Sequence, residues 1–203
     1  MRAPIAALAA LLLVGASAPA VHAGVDPVVD AYDHRQDVQI FHNAGPGERQ
    51  RRSIDLYRLT VTQFPDKVRF TVRLKKVLPE SYKYDQMVHI TLEPAPANGD
   101  VSAGLLPPEN PDIWWTSYSF SPQHPSDGRA VLIYDADVIY KRCNPAVTGA
   151  NAAKRKAYID VPNKCVPESP AKIKLNSYLG ASRWDPPVYS KDYMWVKGAH
   201  NLR

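Results

Sequence analysis

Apolar and polar residues alternate along much of the chain with a period of two, which is the pattern of β-strands that bury one face. In KVRFTVRL, residues 67–74, every second side chain is apolar and most of the others are basic. The preceding IDLYRLTVTQF, residues 54–64, alternates in the same way and predicts Tyr57 on the inward face. Because Pro65-Asp66 is a turn signal between the two stretches, we expect them to form an antiparallel hairpin.

The same alternation continues through the rest of the chain. Further strands are predicted in MVHITLEP, IWWTSYSF, RAVLIYDADVIYKRC, KAYIDVPNKC, AKIKLNSYLGA and DYMWVKG. No stretch has a strong amphipathic helical pattern, and about nine strands are expected in all. The chain is therefore predicted to be all-β, a single antiparallel β-sandwich of jelly-roll or immunoglobulin-like type. Two long loops, at 95–112 and 144–156, are where such a rigid fold would carry its function.

The first residues have the layout of a secretory signal peptide. Arg2 supplies a positive start, an apolar run covers residues 5–16, and small residues precede two cleavage points, after Ala20 and after Ala23. The second point gives a signal peptide at 1–23 and one β-sandwich domain at 24–203. We therefore expect a secreted, extracellular protein. No transmembrane segment is expected, because no other run approaches the roughly 18 apolar residues that a span needs.

The chain has two cysteines, Cys143 and Cys165. Because an exported chain meets an oxidising compartment, they are predicted to form a disulfide. Closing a loop of about 22 residues would stabilise the fold by roughly 3 kcal/mol by restricting the unfolded chain. A free, reactive thiol pair is the alternative.

The order of motifs resembles a known group of β-sandwiches. An aspartate-rich turn that ends in Asp37-Val38 is followed by Ile54-Asp55-Leu56 and by two alternating strands. This order resembles the DOMON-like and carbohydrate-binding-module-like sandwiches, in which a D-x-x-G-D turn precedes such a strand. Here Gln36 stands where the turn glycine would be. The resemblance implies a β-sandwich, and such domains mostly bind sugars or haem or serve as scaffolds.

A second resemblance concerns the later part of the chain. Cys143, followed by YIDVPNKC and the strand AKIKLNSYLGA, is similar to small uncharacterised secreted proteins of high-GC Gram-positive bacteria. Together the two resemblances span most of the mature chain.

Four aspartates close together in the sequence are candidate metal ligands. They are Asp30, Asp33, Asp37 and Asp55. Calcium takes six to eight oxygens, usually from carboxylates and carbonyls on a loop, and the hairpin could return Asp55 beside the turn. The alternative is that these carboxylates cap turns by accepting backbone N–H groups. We therefore expect no obligatory cofactor, with calcium as the candidate ion.

The tryptophans are the candidate ligand-binding residues. They are Trp114, Trp115, Trp184 and Trp195. Exposed aromatic rings form apolar platforms with a polar edge, which suit sugar faces and protein partners. The alternative is that they pack in the core or at the ends of the sandwich.

The net charge of +5 is a mild basic bias. Basic residues cluster at 49–52 and at 154–156, where they could meet acidic polysaccharide, teichoic acid or phospholipid headgroups. The alternative is that both clusters are ordinary solvated loops. Neither cluster lies in a recognisable nucleic-acid module, so no nucleic-acid partner is expected.

Catalytic motifs are missing from the sequence. It contains no G-x-S-x-G, no H-E-x-x-H and no P-loop, and its histidines lack metal-ligand spacing. The predicted function is therefore a secreted, non-catalytic module that binds extracellular glycan or cell-envelope polymer. One alternative is a structural or inhibitory protein that binds another extracellular protein through loop 95–112. A secreted hydrolase, the other alternative, would need a concave site with converging carboxylates or a histidine pair.

Overall fold

The computed structural model describes residues 26–34, 36–41, 45–94, 115–124, 129–134, 139–142, 146–181 and 188–203. The predicted signal peptide at 1–23 and the predicted loop at 95–112 lie outside the described residues. Among the described residues, no helix is both long enough and apolar enough to cross a membrane.

Twelve strands form in this part of the chain, together with short helical turns. The strands are β1 (Val29–Tyr32), β2 (Gln39–Ile40), β3 (Leu56–Gln63), β4 (Lys67–Leu74), β5 (Tyr84–Pro94), β6 (Trp115–Phe120), β7 (Arg129–Tyr134), β8 (Ile139–Arg142), β9 (Val147–Asn151), β10 (Lys156–Pro162), β11 (Ala171–Ala181) and β12 (Val188–Trp195). One turn of helix, α1 (Glu48–Arg51), continues into a 3-10 turn at Arg52–Ile54. Another 3-10 turn covers Asn163–Cys165.

The strands form two antiparallel sheets. The five-stranded sheet has the order β1-β3-β4-β10-β9, and the seven-stranded sheet has the order β2-β12-β11-β5-β6-β7-β8. Every strand pairing is antiparallel. The prediction of an all-β fold made of antiparallel strands is confirmed.

The predicted hairpin is strands β3 and β4. Its turn closes with a hydrogen bond of 2.8 Å from the Phe64 amide to the Lys67 carbonyl. The prediction for Tyr57 is wrong, because the register shifts between Leu56 and Arg58 and leaves Tyr57 at a bulge. Leu56 is the buried residue there, and the alternation resumes at Leu59.

More strands form than the nine or so that the alternation predicts. The acidic opening stretch contains β1, and RAVLIYDADVIYKRC contains two strands, β7 and β8. The predicted loop 144–156 contains β9, which pairs only with β10 at the sheet edge. Half of an edge strand's backbone groups face solvent, so polar and small residues are tolerated there and the apolar signal is lost.

The core lies between the two sheets. Phe70 of β4 packs on Tyr118 of β6 with ring centroids 5.2 Å apart. The buried Tyr118 hydroxyl donates to the Cys165 carbonyl at 2.8 Å, which satisfies its one polar group. Cys165 itself is buried. The predicted disulfide stays a prediction, because Cys143 lies outside the described residues.

Inward-facing polar side chains fix the helical segment 48–54 to the seven-stranded sheet. Ser177 of β11 donates to the Ile54 carbonyl at 2.6 Å, and Ser190 of β12 donates to the Arg51 carbonyl at 2.7 Å. Buried carbonyls at the end of a helical turn need such donors, since the turn supplies none. The segment therefore delivers Asp55, the residue before β3, to the space beside β12.

Candidate functional site

Three aspartates converge where the chain passes from the five-stranded to the seven-stranded sheet. Asp33 follows β1, Asp37 precedes β2, and Asp192 lies on the inward face of β12. One carboxylate oxygen of each lies within 4.8 Å of the other two. Asp192 is buried, Asp33 is half-buried and Asp37 is exposed, so this acidic cluster reaches from the core to the surface.

A strained residue shapes the turn that carries the cluster. Gln36 has φ +76°, in the left-handed region where an L side chain is disfavoured. This is the position at which the D-x-x-G-D turn of the predicted resemblance has glycine. Its amide donates to Asp55 Oδ1 at 3.2 Å, and the His34 amide donates to Asp33 Oδ1 at 2.9 Å. These two bonds hold the acidic turn in place.

Burial and mutual repulsion raise the pKa values of two cluster members. Burial raises the pKa of Asp33 to about 6, and the negative charge of Asp37 adds to the rise. Burial likewise raises the pKa of Asp192 to about 7, against the opposing hydrogen bond from the Leu56 amide. The neighbouring charges of Asp37 and Asp33 contribute further. The described residues around the cluster therefore leave its negative charge partly uncompensated, and the raised pKa values of Asp33 and Asp192 favour their protonated forms.

Asp55 lies beside the cluster, but Lys75 offsets its negative charge. It is fully buried, and its Oδ2 lies 3.6 Å from the Lys75 Nζ. Its charge is still close enough to raise the pKa of Asp33. Asp55 therefore connects the acidic turn to the end of β4.

Asp30, the fourth predicted metal ligand, has a different partner. Its two carboxylate oxygens accept hydrogen bonds of 2.5 and 2.6 Å from the Arg58 guanidinium on β3. This bidentate pair lowers the pKa of Asp30. The structure thus brings Asp33 and Asp37 together, places Asp55 beside them and engages Asp30 elsewhere.

Sequence reasoning missed Asp192. The alternation of DYMWVKG holds its clue, because Met194 is an apolar inward position and Asp192 lies two residues earlier on the same face. Both residues are buried. An acidic residue at an inward strand position needs a partner, and this pattern could have added it to the cluster.

Of the four tryptophans, the structure describes one side chain. Trp195, at the end of β12, is 68% exposed. Trp115 begins β6, but only its backbone is described. Trp114 and Trp184 lie outside the described residues.

Trp195 belongs to an aromatic and charged group on the outer face of the seven-stranded sheet. Tyr193, two residues earlier on the same face, is 40% exposed. Lys174 of β11, directly opposite Trp195, places its Nζ 4.5 Å from the centre of the indole ring. The Lys174 ammonium also forms an ion pair with Glu93 of β5. The indole is thus held on one side and open to solvent on the other.

Hydrogen-bonding side chains continue across this face in one row. Tyr193, Asn176, His89 and Ser119 lie opposite one another on strands β12, β11, β5 and β6. The Ser119 hydroxyl and His89 Nε2 are in hydrogen-bonding contact, and burial lowers the pKa of His89. Asn176 Oδ1 is buried without a hydrogen-bond partner in the described part of the chain.

The two predicted basic clusters differ in environment. In the first, Arg52 pairs with Glu48 at 2.8 Å and Arg51 donates to the Pro46 carbonyl at 2.5 Å. Both contacts are local, joining residues that are four or five positions apart. In the second, Lys154 and Lys156 are exposed at the tip and base of the β9–β10 hairpin.

Comparison of the chain with known proteins found no match. No protein-family model matches the chain, nor does any curated protein or solved structure. The DOMON-like and carbohydrate-binding-module-like resemblance therefore stays a prediction.

Proposed function

We propose that this protein is a secreted, non-catalytic module that binds glycan or cell-envelope polymer on the outer face of its seven-stranded sheet. The observation that carries the proposal is the exposure of Trp195 and Tyr193, side by side on one face of β12. Exposed apolar side chains that are grouped in one patch, unlike single ones, mark binding surfaces. We take the two sheets to be a sandwich of the DOMON-like or carbohydrate-binding-module-like type.

The surroundings of these rings suit a sugar. A sugar ring presents an apolar face to an aromatic platform and hydroxyl groups at its rim, so a site needs both a flat ring and polar side chains beside it. Trp195 supplies the ring, and the Lys174–Glu93 pair supplies a donor and an acceptor next to it.

A cation at the acidic cluster is part of this proposal. Three carboxylates from Asp33, Asp37 and Asp192 fit the oxygen ligands that calcium prefers, with carbonyls and water to complete the shell. Asp33 Oδ2 is buried and accepts no hydrogen bond within the described residues. The ion would fix the link between β1 and β2, and its role would be structural rather than catalytic.

A hydrolase is less well supported by the same cluster. Its carboxylates do converge, but Asp192 is 2% exposed, and its oxygens accept hydrogen bonds from the Leu56 and Tyr193 amides. A substrate could not reach that carboxyl group without displacing the chain around it. The other alternative, a protein partner bound through loop 95–112, concerns residues outside the described part of the chain.

The proposal is tested by binding to a panel of insoluble and immobilised glycans, including peptidoglycan. Trp195→Ala should abolish binding and leave the thermal unfolding midpoint unchanged, since the indole is mostly in solvent. Tyr82→Ala is the matched control, because Tyr82 is 85% exposed but lies in the loop before β5. Equal binding by wild type and both variants would remove this face as the site. A protein captured without any response to glycan would favour the protein-binding alternative.

A further inference from the structure

The outer face of the five-stranded sheet carries a row of positive charges on adjacent strands. Arg58 of β3 lies directly opposite Arg73 of β4, and Arg73 lies directly opposite Lys156 of β10. Neighbouring strands are about 4.8 Å apart, so the three side chains leave the sheet along one line. We refer to these three residues as the basic row.

Like charges that face each other across strands destabilise a sheet, so the basic row has a cost in stability. Asp30 offsets the charge of Arg58 through its bidentate pair. Arg73 and Lys156 are exposed, and neither pairs with an acidic side chain in the described part of the chain. Two uncompensated cations therefore lie side by side on this face, where β4 ends and β10 begins.

The hairpin beside the row adds charge on a fixed backbone. Arg155 has φ +56°, and its carbonyl accepts a hydrogen bond of 3.0 Å from the Leu74 amide at the end of β4. The Lys154 amide donates to Asn151 Oδ1 at 2.9 Å, which closes the turn. These bonds hold the 154–156 cations next to Arg73, and no acidic side chain of the described residues forms an ion pair with them.

Aromatic and hydroxyl groups lie next to the charges. Tyr158 lies two residues along β10 from Lys156, and its ring lies over Gly149 of β9, where a Cβ would come within 2.5 Å of the ring carbon Cζ. The Arg69 guanidinium lies over this ring, 4.3 Å from its centre. Opposite Tyr158 is the hydroxyl-bearing Thr71. The face thus combines cations with hydroxyl groups, beside a tyrosine ring that is packed against Gly149 and Arg69.

We propose that this face is a second binding surface, for an acidic polysaccharide. Guanidinium and ammonium groups in a row would meet the carboxylate, sulfate or phosphate groups of successive sugars, and charge-assisted hydrogen bonds are the strongest that a surface can offer. A phospholipid surface is the less favoured partner. Membrane-surface binding needs several inserted apolar side chains, whereas Tyr32, the exposed ring opposite Arg58, lies 5.0 Å from the Arg58 guanidinium. The inference does not depend on the glycan site at Trp195, which lies on the other sheet.

The test measures the affinity of the mature protein for two polyanionic polysaccharides, heparin and polygalacturonate, at several salt concentrations. Arg73→Gln combined with Lys156→Gln should weaken binding about tenfold or more, equivalent to roughly 1.4 kcal/mol or more, and should flatten its salt dependence. The control is Lys83→Gln combined with Lys172→Gln, which removes the same charge from two exposed positions away from the basic row. The control should lose less than about twofold. The control should keep the wild-type unfolding midpoint, because both of its side chains are exposed. The Arg73→Gln, Lys156→Gln variant should have an equal or higher midpoint, because it removes the repulsion between strands.

Three results would overturn the inference. Equal losses in the two double variants would mean that net charge alone drives binding. Equal wild-type affinity for polyglutamate would mean that the polymer need not be a sugar. Binding to vesicles of phosphatidylserine and phosphatidylcholine without binding to either polysaccharide would assign the face to membranes instead. Trp195→Ala should bind both polysaccharides as the wild type does, so failure of the glycan site and failure of this surface give different results.

Discussion

The Leu56 amide donates a hydrogen bond of 2.6 Å to the Asp192 carboxylate, which joins the first residue of β3 to the inward face of β12. The two residues are 136 positions apart in the chain. This bond ties the two sheets together at the acidic cluster and leaves the remaining charge of Asp192 facing Asp33 and Asp37. The Asp192 carboxyl group should therefore contribute to the stability of the folded state, to the pH dependence of that stability and to cation binding.

In EDTA, the stability of the protein should fall as the pH rises from 5 to 8. The pKa values of Asp33 and Asp192 are raised to about 6 and about 7 in the folded state, above the ordinary aspartate value of 3.8. A raised carboxyl pKa means that the folded state binds the proton more tightly. The resulting stabilisation is complete below pH 3.8 and is lost as the pH rises through 6 and 7.

Asp192→Asn should reduce this pH dependence, because the amide oxygen can still accept from Leu56 but carries no charge. The measurement is urea unfolding at a series of pH values. Asp66→Asn, at an exposed turn, is the control and should keep the wild-type slope. A slope that is the same in all three proteins would contradict the role given to Asp192.

Calcium should raise the unfolding temperature of the wild-type protein at pH 7.5. An ion at a hundred times its dissociation constant adds about 2.7 kcal/mol to the stability of the folded state, a shift of roughly 5 to 10 °C for a domain of this size. Asp33→Asn combined with Asp37→Asn should abolish the shift. Asp30→Asn should keep it, since Asp30 pairs with Arg58. No shift in the wild type would leave these aspartates as turn residues.

Gln36→Gly should stabilise the protein by roughly 0.5 to 1 kcal/mol. The left-handed backbone at φ +76° costs an L residue about 1 to 2 kcal/mol, and glycine avoids this cost while losing part of the gain to its freer unfolded state. Gln36→Val, with a β-branched side chain at the same position, should destabilise it. Chemical unfolding of the wild type and the two variants measures the free energy of unfolding, which should decrease in the order glycine, glutamine, valine at position 36. Any other order would mean that the side chain of Gln36 has a contact of its own.

Gln86→Leu should destabilise the protein by about 2 to 4 kcal/mol, because it leaves buried backbone groups without hydrogen-bond partners. The Gln86 side chain accepts from the Leu78 amide at 3.1 Å and donates to the Lys76 carbonyl at 2.8 Å. Leucine has a similar volume but satisfies neither group. Gln39→Leu on the exposed strand β2 should change the stability by less than about 0.5 kcal/mol. Similar losses in the two variants would show that burial of Gln86 is unimportant.

The alternation of residues predicts the fold better than the site. Strand β4 is buried on one side throughout its length, so its pattern is clean, and the hairpin with β3 follows from the turn. The alternation did not predict strands β1 and β9, because they lie at sheet edges, where contact with solvent reduces the need for apolar residues.

The acidic cluster was half predictable. Asp33 and Asp37 are close in sequence and share a turn, so local spacing suffices to group them. Asp192 joins them only through the strand order, which sets β12 beside β2. Neither spacing nor periodicity contains that long-range pairing. The exposure of Trp195 depends equally on which face of β12 the core covers.

The central position of β11 has a consequence for when the protein can fold. This strand pairs with β5 on one side and β12 on the other, and its Ser177, with Ser190 of β12, supplies donors to the helical segment near the N-terminus. A chain that ends before Ala171 leaves an open edge on β5 and unsatisfied carbonyls at Arg51 and Ile54. Contacts this distant in sequence form slowly, and they cannot form until β11 and β12 have been synthesised. The seven-stranded sheet should therefore assemble late, when all strands of the five-stranded sheet are already available to pair.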